Sequence, residues 1–300
     1  MSYANVPTSV RSLEQRIRHL EGNDGLALRR RVGMALVVVG QMLPEGAIKG
    51  GSAMALRYGR RTRFTQDLDA ARVQPLARFR SDFEDSLAAG WAGFTGRLVE
   101  KAAPRPTGVP SAYVMQPFEV KLDYLGRSWC TVKFELGHNE IGDADDPEYL
   151  LADDLAQLFT VLGLEAPRPV PVMRVDHQVA QKLHAVSAEG SERARDVVDL
   201  QLLDKGEDLD IPQIRVTCVR IFEYRRQQAW PPTIVKNAAW DSLYAEAAED
   251  LDVLPSVDEA VAWANAFVQR IAEAGARPGN PASATSVPPL PTANSSTSLA

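Results

Sequence analysis

Lys49-Gly50-Gly51-Ser52-Ala53-Met54-Ala55-Leu56-Arg57, followed by Arg61-Thr62-Arg63-Phe64-Thr65-Gln66-Asp67-Leu68-Asp69, is the stretch whose reading decides the fold. Two glycines and a serine at a helix start leave backbone N–H groups free to face an anion. The helix dipole adds partial positive charge at the same place. A helix is expected over Ala53–Tyr58, ending near Gly59. From Thr62 to Ala71 the chain alternates as a strand does. Phe64, Gln66, Leu68 and Ala70 then face one side, and Thr65, Asp67 and Asp69 the other. Two carboxylates at i and i+2 on one strand project from the same face. Such a pair is costly to ionise alone and becomes favourable when divalent cations bridge it. A nucleoside triphosphate with Mg2+ satisfies both halves, with phosphates against the Gly-Gly-Ser turn and metal on Asp67 and Asp69.

Upstream, Val10 to Gly40 reads as helical, with Leu13, Ile17 and Leu20 at helical spacing and a break near Gly22–Gly25. Downstream, Phe79–Leu87 reads as a helix. Tyr113–Val114, Phe118–Tyr124 and Ser128–Leu136 read as strands, the last two joined at Leu125-Gly126-Arg127. Residues 1–165 thus form an α/β (α+β) lobe with N-terminal helices and a small mixed sheet. Pro167, Pro169 and Pro171 mark an extended connector. A mainly helical lobe follows over 172–276, with helices at Val175–Val186, Ala194–Leu203 and Gln213–Arg226. Its last helix opens on the capping box Ser256-x-x-Glu259 and carries an apolar stripe through Ala260, Val261, Ala264, Phe267, Val268 and Ile271. From Arg277 the chain holds five prolines and one charged side chain, so 277–300 is expected to be a disordered tail.

At 45% hydrophobic and 24% charged, the 300 residues have the composition of an ordinary globular protein, which excludes collagen-like and wholly disordered classes. The net charge of −6 excludes a generic nucleic-acid coat, so any RNA contact must come from a local patch. Candidates are Arg29-Arg30-Arg31, Arg57, Arg60, Arg61, Arg63, Arg215, Arg220 and Arg226. Trp91, Phe94, Trp230 and Trp240 read as core, with base stacking as the alternative. Cys130 and Cys218 make no disulfide framework and match no metal-ligand spacing. The apolar run Met34–Val39 is far shorter than the roughly 20 residues a membrane span needs, so a cytoplasmic protein with no membrane partner is expected.

A second group lies in the helical lobe. In Asp176–Val186, Val179, Leu183 and Val186 form one face, and Lys182 stands beside it as a point charge able to reach a triphosphate. In Arg193–Leu200, Asp196 and Asp199 lie one turn apart. Taken alone, Lys182 reads as a surface lysine and Asp199 as a partner of Arg195 or Arg193. His177 and His184 read as structural.

An apolar strand, Gly-Gly-Ser, one helix, then a strand with Asp-x-Asp resembles the nucleotidyltransferase superfamily that includes DNA polymerase β and the kanamycin nucleotidyltransferases. The resemblance implies a polymerase-β-like first lobe and a third carboxylate from a neighbouring strand, for which Glu135 is the candidate and Asp123 the fallback. Lys-Gly-Gly-Ser, Thr-x-Asp-x-Asp, Gln-Lys-Leu-His-Ala and Arg-x-x-Asp-x-x-Asp-Leu together resemble the AbiEii/MenT nucleotidyltransferase toxins of type IV-like toxin–antitoxin systems. Ala-Gln-Lys-Leu-His-Ala-Val and Ile-Phe-Glu-Tyr-Arg…Trp-Pro-Pro point to the mycobacterial MenT branch.

That resemblance implies a two-metal enzyme (Mg2+, with Mn2+ possible) that moves NMP from an NTP, CTP favoured, to the 3′ end of tRNA, and a cognate antitoxin. It assigns Asp67, Asp69, Lys182 and Asp199 as catalytic, and Asp67, Asp69 and Glu135 as metal ligands. Gly51, Ser52, Thr65, Lys182 and Arg225 fall to the nucleotide. Asp69 and Glu135 would hold the first metal, with Asp67 bridging both. The hydroxyl of Thr65 stands where family members carry a serine, which keeps phosphate contact or control by phosphorylation open.

Overall fold

Burial and capping chemistry account for the first elements. The computed structural model describes residues 2–20, 26–104 and 114–274. The break near Gly22–Gly25, the strand residue Tyr113 and the 277–300 tail lie outside these residues. Helix α1 (Val10–His19) starts at Ser9, whose hydroxyl accepts the Ser12 N–H at 3.1 Å, and it buries Leu13 and Ile17. Helix α2 (Ala27–Met42) buries Met34 through Gly40 without interruption, as a helix enclosed on all sides must.

Then come β1 (Gly46–Lys49), α3 (Gly50–Tyr58), a tight turn at Gly59–Arg61, β2 (Asp67–Arg72), α4 (Leu76–Ala89), β3 (Phe94–Glu100), β4 (Gln116–Tyr124) and β5 (Arg127–His138). The chain continues through β6 (Glu148–Leu150), α5 (Asp153–Val161) and β7 (Val170–Val172). It ends in α6 (Val175–Val186), α7 (Ala194–Gly206), α8 (Ile211–Arg225), α9 (Trp240–Ala248) and α10 (Val257–Glu273). The strands make one mixed sheet in the order β3-β4-β5-β2-β1-β7-β6, with β2–β5 and β1–β7 parallel and the other pairs antiparallel. The α/β class, the mixed sheet and the helical second half are as expected from the sequence.

Four readings need correction. The strand read from Thr62 begins only at Asp67, because β1 ends at Lys49, level with Asp69, and offers residues 62–66 no partner. Phe64 and Gln66 are exposed rather than turned inward with Leu68 and Ala70. Helix α3 includes Gly50 and Gly51 rather than starting after them. Val114 lies outside any strand. Strand β3 went unread because Gly96 and Arg97 interrupt its apolar alternation; it forms by pairing Phe94–Glu100 with Tyr124–Phe118. The proline connector contributes β7, where Val172 pairs with Ile48.

Among the described residues two large apolar clusters, with a small third around Met173, form the core. The first gathers α1, α2, α4 and the sheet around Phe79, Phe83 and Phe134; the second gathers α6 to α10 around Leu183, Phe222, Trp240 and Phe267. Each such large side chain contributes roughly 1.5–3 kcal/mol on burial. Met54 of α3 packs in the second cluster and so joins the two. Phe94 and Trp240 are wholly buried core residues. Among the described residues no helix is long and apolar enough to cross a membrane.

Candidate active site

The site is built where β1 hands over to α3. Gly50 takes the left-handed region at φ +64°, and a Cβ on it would collide with the Asp69 carboxylate. A Cβ on Gly51 would lie 2.9 Å from an Arg63 guanidinium nitrogen and 3.1 Å from Thr65 Oγ1. Ser52 is wholly buried. Its hydroxyl donates to the Lys49 carbonyl at 2.9 Å and accepts the Asp69 N–H at 3.1 Å, which ties the first turn of α3 to β2. Ser52 therefore sets where Asp69 stands.

Two predictions arise here. Ser52→Ala strands a backbone N–H and is expected to cost roughly 1–3 kcal/mol in urea unfolding. Gly50→Ala is expected to cost about 1–2 kcal/mol from conformation alone, and to displace the Asp69 carboxylate as well, so nucleotidyl transfer should fall further than stability does.

Asp67 and Asp69 share the open face of β2, while Leu68 and Ala70 enter the core. Parallel pairing with β5 sets Asp69 level with Glu135 and Asp67 level with Lys133, whose ammonium is 3.7 Å from Asp67. Asp123 is elsewhere. Pro117 is the β4 residue level with Glu135, and Asp123 lies further along that strand by about 20 Å at strand rise. Burial first, then the neighbouring Glu135, pushes the Asp69 carboxyl up to about 6, against the opposing pull of Lys49.

Among the described residues no three His, Cys, Asp or Glu side chains close on a common point as a ready metal site. Mg2+ is commonly held by one or two carboxylates with substrate phosphates and water completing its shell. The all-oxygen donor set of Asp67, Asp69 and Glu135 fits that habit.

Lys182 and Asp199 do meet, in a buried ionic network. The Lys182 ammonium donates to Asp199 at 2.6 Å and to Asp196 at 3.0 Å. The Arg63 guanidinium grips both oxygens of Asp199, at 3.0 and 2.9 Å. Lys182 is 5% exposed and Asp199 0%, so neither is a surface residue. Burial opposes charge on each, but Lys182 and Arg63 hold the Asp199 carboxyl below the ordinary range, and the carboxylates raise Lys182. Asp199 thus pairs with Lys182 and Arg63 rather than with Arg195 or Arg193. Arg63 was grouped above with the RNA-facing arginines, and it stands instead between the Gly51 cradle and α7.

Arg225 is held on another side of the lobe junction. It donates to Glu140 at 3.0 Å, and its Nη1 lies 3.3 Å from His184 Nδ1. Burial, reinforced by Arg225, takes His184 down to about 4, so the ring is neutral near pH 7. Asp143 accepts the Glu140 N–H at 2.9 Å and the Gln181 amide at 2.6 Å, and burial pushes its carboxyl up to about 6. Glu140 and Asp143 carried no motif signal. Arg57 is internal too, bridging Glu148 and Glu207.

The family model for the nucleotidyl transferase AbiEii toxin of type IV toxin–antitoxin systems matches residues 41–269. MenT4, a nucleotidyltransferase toxin from Mycobacterium tuberculosis H37Rv, is a similar solved structure. It has a TM-score of 0.47 and 16% identity, covering 88% of this chain and 98% of that one. No curated protein matches the chain. The matched span runs from the end of α2 to α10 and takes in Gly50–Ser52, Asp67, Asp69, Lys182, Asp199 and Arg225. The chain belongs to the AbiEii family of nucleotidyltransferase toxins.

Proposed function

We propose that this nucleotidyltransferase moves NMP from an NTP, with CTP favoured, to the 3′ acceptor end of tRNA in the cytoplasm, blocking translation until a cognate antitoxin neutralises it. The observation that carries the reading is the shared face of Asp67 and Asp69 on β2, with Glu135 of β5 level with Asp69, beside the glycine-lined start of α3. Mg2+ or Mn2+ held by these carboxylates would supply charge neutralisation at the acceptor hydroxyl and the triphosphate.

The chain's own residues do the rest. The backbone N–H groups at Gly51 and the turn after it receive the phosphates, helped by the helix dipole. Ser52 positions Asp69 from beneath. Arg63, oriented by Asp199 and adjacent to Gly51, offsets negative charge developing on the phosphates, and Thr65 offers a hydroxyl at the same place. Lys182 holds the carboxylate that orients Arg63 and adds its own positive charge. Arg225 supplies a further cation at the lobe junction.

The net charge of −6 favours a second reading, in which the acceptor is a protein or small molecule. The test offers each α-phosphate-labelled NTP with tRNA, total protein and small metabolites. Label on tRNA from CTP is the expected result. Label confined to protein or metabolites would establish the second reading. Growth inhibition without label in any fraction would refute both.

A further inference from the structure

We infer that Gly137 is a positioning residue for the metal site: its missing side chain leaves a bay that holds the Lys49 ammonium off the Asp69 carboxylate, so that Asp69 stays open to a cation. The inference rests on the reading of Asp69 as a metal ligand. Lys49 closes β1 and stands level with Asp69 in the antiparallel β1–β2 pair. Residues so placed carry Cβ atoms about 4.5–5.5 Å apart on one face, where opposite charges attract. These two do not pair. Among the described residues the Lys49 ammonium makes no ion pair and no hydrogen bond.

Two glycines draw them apart. The ammonium reaches across β2 to β5, where a Cβ on Gly137 would lie 2.8 Å from Nζ and 3.6 Å from Cε. The Asp69 carboxylate leans instead over Gly50, just past the end of β1, where a Cβ would collide with it. Gly137 lies inside β5 and has no positive φ, so its backbone would accept another residue. A glycine inside a strand weakens it and often marks a close approach. The use of this one is the space it leaves. Asp143 is also within electrostatic reach of the ammonium, but its two oxygens already accept the Glu140 N–H at 2.9 Å and the Gln181 amide at 2.6 Å. An ammonium pushed out of the bay therefore falls back on Asp69, its cross-strand neighbour. A metal arriving there would then have to break an ion pair first.

The test fills the bay. Gly137→Ala puts a methyl group where the ammonium rests, and Gly137→Val fills the bay further; either suffices if the other misfolds. Mn2+ binding to the full chain is followed by electron paramagnetic resonance at about pH 8, where the carboxylates are charged, with a non-hydrolysable CTP analogue present. Filling is expected to weaken Mn2+ capture at least about fivefold, the scale of one partly exposed ion pair. With Lys49→Met also in place, filling should have no effect, whereas a strand merely damaged by the larger side chain would stay impaired. A metal-free double-mutant cycle separates the bay from the metal reading. In chelator, the coupling between Lys49→Met and Asp69→Asn should be about fivefold larger in the unfolding constant with the bay filled than with Gly137. A parent that captures no Mn2+ while this coupling grows would refute the metal assignment and still uphold the bay. Equal capture by the parent and a folded filling variant, impairment that persists with Lys49→Met, or a coupling unchanged by filling overturns the proposal.

Discussion

Replacing Asp69 with asparagine is expected to remove nucleotidyl transfer by a factor of about 10²–10³ or more, the scale for losing one charge-stabilising group, while making the metal-free protein more stable at neutral pH. The second half follows from the sign of the shift. The Asp69 carboxyl titrates near 6 in the fold against an ordinary 3.8. Below the ordinary value both states are protonated, and nothing is lost. Between the two values the folded state holds the proton and the unfolded state does not, so stability declines as pH rises. Above about 6 the penalty is complete, at most roughly 3 kcal/mol for a rise of this size. Asp69→Asn carries no such penalty. Urea midpoints in chelator should therefore separate variant and parent at about pH 7.5, and the gap should shrink to roughly a third of that by about pH 4.5. Asp143, with its carboxyl also near 6, leaves the variant a residual slope of the same sign. A variant less stable than the parent at both pH values would mean that Asp69 is not held at an electrostatic cost. Transfer retained by both Asp67→Asn and Asp69→Asn would remove the carboxylates from the chemistry.

Asp199→Ala is expected to cost roughly 3–5 kcal/mol, the scale for removing one partner of a buried ion pair. It deprives the half-buried Arg63 guanidinium of both its hydrogen bonds to carboxylate oxygens and leaves Lys182 with Asp196 alone. Arg63 then loses its orientation beside Gly51, so transfer should fall in whatever fraction stays folded. Lys182→Met should cost less than Asp199→Ala, because it leaves Arg63 still paired with Asp199. Equilibrium urea unfolding of the two variants gives the order. Stability of Asp199→Ala within about 1 kcal/mol of the parent would mean that the network is solvated rather than buried.

The Gly-Gly-Ser start and the Asp-x-Asp strand were legible because turn chemistry and alternation are local. What depended on long-range pairing was not. The alternation from Thr62 to Gln66 mimics a strand, yet no strand pairs with those residues, and Phe64 is exposed. Glu135 was nameable as a carboxylate on a nearby strand, but its level with Asp69, and the distance that sets Asp123 apart, come from sheet register. Lys182 and Asp199 were found as residues. Arg63, which shares Asp199 with Lys182, lies on the other lobe, far away in sequence, where an arginine looks like any surface cation. Strands β6 and β7 have three residues each, too few for a period to show. Ser52 was read as a phosphate ligand, a role any exposed serine can fill; its burial and its bond to the Asp69 N–H give it a positioning role in the proposal.

Mn2+ titration followed by electron paramagnetic resonance, with a non-hydrolysable methylene analogue of CTP present, bears most directly on the proposed role of Asp67, Asp69 and Glu135 as metal ligands. The parent should capture Mn2+ in a nucleotide-dependent way, and Asp67→Asn and Asp69→Asn should each abolish that capture while remaining folded. Equal capture by all three proteins would contradict the account.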